Sequence, residues 1–276
     1  MLRLLIYLVP KSLMSRAAGL LSRTRWPKPF GPMLVRWFAN RYRLNLAEAE
    51  RTLPEYLTIQ DLFTRRLKPG ARLVANEVAV HPADAELTVS ASINAGLLLQ
   101  VKGWTYTVQE FLNEASAEVF ENGTQLTYYL CPTDYHRVHS PVDGEVVKVT
   151  YIPGNLWPVN NWSVTHIHKL FVRNERVVVW IKTNHGLVAV VMVGATNVGQ
   201  MTLSFHPELI TNKGQPAMVK TYEPAPKLVR GGELGVFNMG STVVVLYPPA
   251  FPLADRPPVP HQVKMGGSLH GPLVAR

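Results

Sequence analysis

The sequence predicts an α+β protein whose core is rich in β-strands. Short runs of β-branched and aromatic residues, separated by Pro, Gly and Asn, recur from residue 97 to residue 247, and such runs are typical of strands. A single helical pattern interrupts them at about residues 108–120, where Phe111, Ala115 and Val119 share one face. Many short strands with one inserted helix predict the α+β class.

The positions of the predicted strands follow from these runs. They lie at residues 97–101, 125–131, 145–151, 176–182, 187–193 and 242–247. Two further segments are similar to each other, because a Pro-x-Asp turn precedes a strand-like run both at residues 82–84 and at residues 141–143. Turn-strand units of this kind occur in barrel-sandwich domains, and a repeated unit indicates a duplicated β element. We therefore expect a barrel-sandwich-like core.

Charge divides the chain into unequal parts. Residues 1–73 contain 14 Lys and Arg against 4 Asp and Glu, a balance of +10, whereas the remaining residues contain 14 and 15, a balance of −1. Thr58 followed by Asp61 predicts the start of a short helix, which the Lys-Pro-Gly sequence ending at Gly70 terminates. We predict three regions: a basic helical attachment region at 1–73, a β-rich domain at 74–250 and a Pro/Gly-rich tail at 251–276.

The basic region also contains apolar side chains at helical spacing, namely Phe30, Met33, Leu34, Trp37, Phe38 and Tyr42. Basic amphipathic helices with Trp and Phe on the apolar side suit the surface of an anionic membrane. The alternative is that these stripes pack on the protein's own core, and the two interpretations can hold for different helices. The aromatic stripe counts against nucleic acid as the partner of the basic region.

The pattern predicts attachment to a membrane without a membrane-spanning segment. No stretch reaches the ~18 uninterrupted apolar residues that a spanning helix needs. The apolar run at residues 4–9 ends at Pro10 and Lys11, and no secretory cleavage site follows it. We expect a peripheral membrane protein on the cytoplasmic face of the cell membrane. The one cysteine, Cys131, follows an apolar run and is predicted to be a buried, inert thiol.

Three short segments together contain the residue types of a catalytic site. The Gly-Ser-Thr sequence at residues 240–242 precedes an apolar strand, although alone it is usually a turn. His136 and His139 lie beside a Pro-x-Asp turn, and Asp84 lies in another. Asp84, His139 and Ser241 supply a carboxylate, a base and a nucleophile. No third ligand at suitable spacing accompanies the two histidines, so no metal site is predicted.

These segments resemble the phosphatidylserine decarboxylase family. The shared motifs are a Pro-Ala-Asp turn, an Asp-Tyr-His-Arg-Val-His segment and a Gly-Ser-Thr site that opens a strand near the C-terminus, here at residues 82–84, 134–139 and 240–242. Segments at 170–176 and 193–199 agree as well. The motifs occur in the family's order, and this order makes the resemblance specific.

Two positions depart from the family pattern. Ala85 stands where the family usually has Gly after Pro-Ala-Asp, and it fits only if the backbone there has a negative φ. Met239 stands where Leu is common before the Gly of the cleavage site, and this is a swap between side chains of similar volume. The resemblance extends from the N-terminal helices to about Pro249.

The resemblance implies a proenzyme that becomes a pyruvoyl-dependent decarboxylase of phosphatidylserine, with phosphatidylethanolamine as the product. Ser241 attacks the carbonyl of Gly240, His139 is the base, and Asp84 orients His139. Cleavage yields a β chain, 1–240, that partners an α chain, 241–276. Ser241 becomes the pyruvoyl group, which forms a Schiff base with the substrate.

The resemblance implies further roles as well. His136 serves the decarboxylation step or binds the substrate phosphate. No metal and no added cofactor are implied, and two copies of the chain can pair as a homodimer.

Two alternatives remain open at this stage. A pyruvoyl decarboxylase of a soluble amino acid shares the cleavage site, but it has no use for a basic amphipathic N-terminus. A non-enzymatic, membrane-tethered barrel-sandwich scaffold accounts for the Pro-x-Asp turns and the basic helices. It leaves Ser241 and the paired histidines without a function.

Overall fold

A computed structural model describes residues 17, 19–100, 103–115, 117–196, 200–238, 241–253 and 256–269. The helices are α1 Phe30–Arg41, α2 Ile59–Phe63, α3 Val108–Leu112, α4 Asn161–His166 and α5 Leu170–Arg173, with single 3₁₀ turns at Leu53–Glu55 and Ala117–Phe120. The strands are β1 Ala85–Ser92, β2 Leu97–Leu99, β3 Thr105–Thr107, β4 Thr124–Leu130, β5 Arg137–His139, β6 Gly144–Ile152, β7 Arg176–Thr183, β8 Gly186–Val193, β9 Met201–Leu203, β10 Met218–Thr221, β11 Lys227–Leu228, β12 Glu233–Phe237, β13 Ser241–Tyr247 and β14 His261–Val263. Helices and mostly antiparallel sheets confirm the predicted α+β class.

One large antiparallel sheet organises the molecule. Its strand order is β10-β6-β7-β8-β13-β4-β1-β14, and β11 pairs with the same strand β6. Strands β10 and β14 are its edges, so the described strands form an open sheet rather than a closed barrel. The central strands are runs of Val, Ile and Ala that are buried along almost their whole length, as expected where both faces of a sheet are covered.

Strand β13 lies in the middle of this sheet, between β8 and β4. Ser241 pairs with Leu130 at one end of the strand, and Tyr247 pairs with Thr124 at the other. On its second edge, Thr242 pairs with Val193. The predicted strand at 242–247 is thus confirmed. The other five predicted strands are also present, within two residues of their predicted ends.

A smaller sheet brings the histidine segment to the large one. Its order is β5-β12-β9, and β5 contains His139. Glu233 is the register partner of His139. Strand β12 leads through Asn238 towards β13, so the small sheet and the start of β13 are joined by a few residues of chain.

The N-terminal part of the described chain has its own small core. Val35, Phe38 and Ala39 of α1 pack in one cluster with Leu62 and Phe63 of α2. Helix α2 begins as predicted, because the Thr58 side chain accepts a hydrogen bond from the backbone N–H of Asp61. Residues 1–16, where we predict further amphipathic helix, lie outside the described residues. Within the described ranges, no helix has the length and apolarity to cross a bilayer.

Three features differ from the predictions. Helix α2 ends at Phe63, before the Lys-Pro-Gly sequence at 68–70 that was predicted to terminate it. The helix predicted at 108–120 is two short elements, because Asn113 adopts the left-handed conformation with φ 50° and ends α3. Within the stretch 251–276, predicted to be a tail, β14 pairs with β1 in the register Ala85↔Val263. The division into regions at residues 73 and 250 stays a prediction.

Candidate active site

His136 is the most deeply buried histidine of the Asp-Tyr-His-Arg-Val-His segment. Its ring stacks on Phe63, with ring centroids 3.9 Å apart, and its Nδ1–H donates to the carbonyl oxygen of Asp134 over 2.9 Å. Nε2 has no hydrogen-bond partner among the described residues. Burial lowers the pKa of His136 to about 3, so the ring is neutral at physiological pH. Nε2 therefore presents a lone pair.

Arg65 lies beside this histidine and was not predicted from the sequence. Its Nη2 donates to the carbonyl oxygens of Thr133 and Asp134, each over 3.3 Å. Asp134 thus holds Arg65 and His136 on the same carbonyl oxygen. No sequence signal identifies Arg65, because its burial depends on how the end of α2 packs on the 133–136 segment.

The two ring nitrogens of His139 are both hydrogen-bonded. Nδ1–H donates to the carbonyl oxygen of Gly231 over 2.7 Å, and Nε2 accepts from the hydroxyl of Tyr135 over 3.1 Å. Gly231 has φ +77°, and a Cβ there would lie 2.5 Å from Cγ2 of Val74. Only glycine therefore fits where this acceptor is needed. Burial lowers the pKa of His139.

Asp84 is held by basic groups rather than by His139. Arg72 Nε donates to its carboxylate over 2.9 Å, Lys264 Nζ over 3.1 Å and the backbone N–H of Met265 over 2.9 Å. Burial by itself raises the pKa of Asp84, but Arg72 and Lys264 outweigh it and hold the pKa below its usual value.

The contact that would orient His139 in the predicted triad is therefore not made by Asp84, whose side chain is occupied elsewhere. The two residues are linked through the backbone instead, since the N–H of His139 donates to Pro82 over 2.8 Å. The Pro-Ala-Asp turn thus lies against β5, and the acceptor at His139 Nδ1 is Gly231. Ala85 begins β1 without a left-handed backbone, so the departure from the family's Gly is accommodated.

Ser241 opens β13 close to these residues. Its backbone pairs with Leu130, and from there the 131–134 turn leads to His136. On the other side, the N–H of Phe237 donates to the carbonyl of His136 over 3.0 Å, and Phe237 is four residues before Ser241. Two backbone links thus bring Ser241 and His136 into one neighbourhood. Gly240 and the side chain of Ser241 lie outside what the structure describes.

Two further groups in the 131–134 turn are affected by burial. Burial raises the pKa of Asp134 to about 6, although its carboxylate accepts a hydrogen bond from the N–H of Cys131 over 2.8 Å. Cys131, predicted to be buried, is half-buried. Burial raises the pKa of its thiol to about 11, so the thiol stays protonated and unreactive at neutral pH, as predicted.

A neutral buried histidine, a buried arginine and a central strand that begins with serine, linked by backbone hydrogen bonds in an α+β fold, are the features expected of an enzyme with a buried catalytic site. Comparison with known proteins specifies the class. The family model for phosphatidylserine decarboxylase matches residues 59–270, and a second model, described as PSD, matches residues 3–43. The chain therefore belongs to the phosphatidylserine decarboxylase family.

Similar curated proteins carry one name, phosphatidylserine decarboxylase proenzyme. The Myxococcus xanthus protein is 41% identical over 89% of this chain and 88% of its own length. The Methylobacillus flagellatus protein is 40% identical over 91% of both chains, and that of Anaeromyxobacter sp. (strain K) is 40% identical over 96% of this chain and 95% of its own length. The match to the family model, over residues 59–270, spans every candidate site residue.

Proposed function

We propose that this chain is a proenzyme that cuts its backbone between Gly240 and Ser241 and then decarboxylates phosphatidylserine to phosphatidylethanolamine. The observation that carries the proposal is the family match over residues 59–270, which contain the buried site around His136 and the start of β13. The name shared by the relatives, a decarboxylase proenzyme, is consistent with both steps.

Cleavage uses groups of the chain alone. The hydroxyl of Ser241 attacks the carbonyl carbon of Gly240, the peptide C–N bond breaks, and an ester forms between the two residues. Loss of the Ser241 α-proton then expels the Gly240 carboxylate. The dehydroalanine that remains takes up water and releases ammonia, which leaves a pyruvoyl group at the start of β13. A serine hydroxyl is too weak an acid to attack unaided, so a base is required.

His139 is the proposed base. Because Nδ1–H donates to the Gly231 carbonyl, Nε2 is the nitrogen with the lone pair. The hydrogen bond from the Tyr135 hydroxyl to Nε2 has to break before Nε2 can accept the serine proton. Asp84 supports the protonated ring through its negative charge, which raises the pKa of His139 against the larger effect of burial. Asp84 thus acts through space in this proposal.

The buried site is compatible with a pyruvoyl group, because His136 Nε2 is an acceptor without a partner among the described residues and the carbonyl of His136 is hydrogen-bonded to Phe237, four residues before Ser241. The pyruvoyl ketone supplies an electrophile for the substrate amine and an electron sink as CO2 leaves. His136 can orient an N–H donor at Nε2. A neutral ring with a lone pair at Nε2 repels a phosphate oxygen, so the geometry favours a role for His136 in the decarboxylation step over phosphate binding.

The two products of cleavage stay together in this proposal. Strand β13 begins at Ser241 and lies between β8 and β4, with hydrogen bonds to both. The α chain therefore contributes a central strand to a sheet made by the β chain, and partnership of 1–240 with 241–276 follows from burial of that strand.

Attachment to an anionic membrane surface is the proposed location, on the cytoplasmic face. Helix α1 has two apolar faces: Val35 and Phe38 pack inside, whereas Met33 and Trp37 are 59% and 57% exposed. Further large apolar residues before α1 and at its start are also exposed, namely Leu20, Leu21, Trp26 and Phe30. A group of exposed apolar side chains among arginines suits a lipid interface. It also counts against a soluble amino acid as substrate.

Intact-mass spectrometry of the purified protein tests the proposal. The expected result is two chains, 1–240 and 241–276, the second with a mass that fits a pyruvoyl group in place of Ser241. The Ser241→Ala variant, prepared in parallel, should give one uncleaved chain without release of CO2 from phosphatidylserine. A single uncleaved wild-type chain that is active, or two fragments from Ser241→Ala, contradicts the proposal.

A further inference from the structure

Arg65 has an unusual environment for a buried cation. The residue is 3% exposed, and its Nη2 makes the two long hydrogen bonds to backbone carbonyls described above. Nε and Nη1, which together carry three N–H bonds, have no partner within the described ranges. Burial also lowers the pKa of Arg65, because the charged form is poorly solvated. Burying a charge without a partner costs several kcal/mol.

The other two deeply buried arginines are fully engaged. Arg72 is paired with the carboxylates of Asp84 and Glu48. Arg176 has no carboxylate partner, but its guanidinium donates to four backbone carbonyls, those of Phe111, Val172, Asn174 and Glu110. Arg65 has no carboxylate hydrogen-bonded to it within the described part of the chain, and only its Nη2 donates to backbone carbonyls. The Arg65 guanidinium is therefore buried with fewer partners than the other two.

The position of Arg65 indicates which kind of group its unpaired N–H groups bind. Arg65 and His136 share the carbonyl of Asp134. Among the described residues, Nε2 of His136 and the hydroxyl of Tyr56, which also interacts with Arg65, are further buried atoms without a hydrogen-bond partner. We infer that Arg65 is the docking point for an oxyanion of the substrate, either its phosphodiester or its carboxylate. This inference rests on the proposed function. The oxyanion accepts the free N–H groups of Arg65 and places a negative charge in hydrogen-bond contact with the guanidinium, a contact that none of the described carboxylates near it makes.

Replacing a structural arginine and replacing a ligand-binding arginine have different effects on the stability of the protein. If Arg65 only stabilised the fold, Arg65→Gln would lower the Tm and reduce cleavage. As a docking point with an unbalanced charge, Arg65 contributes little to the free energy of unfolding, so Arg65→Gln should have a Tm no lower than that of the control. Arg66→Gln is that control, because it removes the same charge from the next, exposed residue. Arg65→Lys, which keeps the charge, serves if the glutamine variant does not fold.

The binding experiment uses two probes without an amine, so neither can react with a ketone as the substrate does. Glycerol 3-phosphate has a phosphate and no carboxylate, and glycerate has a carboxylate and no phosphate. Calorimetric titration of wild-type protein and Arg66→Gln should give the same Kd for at least one probe. Arg65→Gln should weaken that probe at least 10-fold and raise KM for phosphatidylserine in detergent micelles. The probe that is weakened identifies the oxyanion.

Three results overturn the inference. The first is that neither probe binds the wild-type protein, and the second is that both probes bind Arg65→Gln with the same Kd as Arg66→Gln. The third is that the Arg65 variants have a lower Tm than the control and are also not cleaved. Failure of the proposed function has a different signature. In that case the wild-type mass is that of one uncleaved chain, whereas binding of glycerol 3-phosphate or glycerate can still be measured.

Discussion

Arg72 donates two hydrogen bonds to the buried carboxylate of Asp84, and this pair joins the segment before β1 to the Pro-Ala-Asp turn. Lys264 reaches the same carboxylate from the other end of the chain. The Pro-Ala-Asp turn therefore binds both the segment that precedes β1 and the segment that follows β14. Its contribution to stability can be separated from its contribution to catalysis.

Asp84→Asn should destabilise the protein by about 3–5 kcal/mol at pH 7, because it leaves the Arg72 guanidinium buried without its counter-charge. The pKa of Asp84 is lowered in the folded state, so its contribution is present above the unfolded pKa of about 4 and is lost as pH falls through the folded pKa. Urea unfolding at pH 7 and in acid measures both effects. An equal loss at the two pH values contradicts the ion-pair explanation.

Asp134→Asn should stabilise the protein at neutral pH. The folded pKa of about 6 is above the unfolded value, so wild-type stability falls as pH rises from about 4 to about 6 and then stays level. The asparagine variant removes that fall, on the order of 1–3 kcal/mol, and keeps the acceptor for the N–H of Cys131. Thermal unfolding at pH 4, 5, 6 and 7 shows the difference. Asp143→Asn, at an exposed turn, is the matched control.

Tyr135→Phe should leave self-cleavage intact or faster, whereas His139→Ala should abolish it. The tyrosine hydroxyl is hydrogen-bonded to Nε2 of His139, which is the atom proposed to take the proton of Ser241. A time course of fragments on denaturing gels measures the rate. If folded Tyr135→Phe does not cleave, the hydroxyl takes part in proton transfer and His139 does not act alone.

Met33→Gln combined with Trp37→Gln should weaken binding to vesicles that contain anionic phospholipid. Each side chain contributes about 2 kcal/mol when it is fully buried in an apolar phase, so partial insertion predicts a loss of about 10-fold or more. The Tm should not change, because both side chains are exposed. Val219→Gln combined with Val229→Gln is the control, since these residues are equally exposed elsewhere. Equal flotation of the two double variants contradicts a contact between α1 and the membrane.

Strands were easier to predict from this sequence than the contacts of the site. The runs that became β7 and β8 are continuously apolar through their centres, and both strands lie within one residue of the prediction. The helix at 108–120 was predicted too long, because Asn113 reverses the sign of φ and no local pattern identified that turn. Strand β14 lies in a Pro-rich stretch, and only its pairing with β1 defines it.

Tertiary contacts were even harder to predict at the site than in the fold. Asp84, His136 and His139 could be proposed from motifs, and the structure brings His136 and the backbone of Ser241 into one neighbourhood. The partners of these residues could not be proposed, since Arg72, Gly231 and Arg65 reach them through tertiary packing. A motif specifies which side chains are available for chemistry. It does not specify that a glycine carbonyl, rather than a carboxylate, takes the Nδ1–H of the base.

Strand β13 sits at the centre of the large sheet, and β14 sits at its edge, yet both follow the Gly240–Ser241 bond. Before that bond is cut, unfolding and refolding are reactions of a single molecule. Afterwards the sheet can be rebuilt only when two separate chains meet, so recovery from denaturant becomes second order and depends on concentration. In the proposed maturation, the precursor and the cleaved protein therefore differ in the reversibility of unfolding, and dilution selectively prevents the cleaved form from recovering.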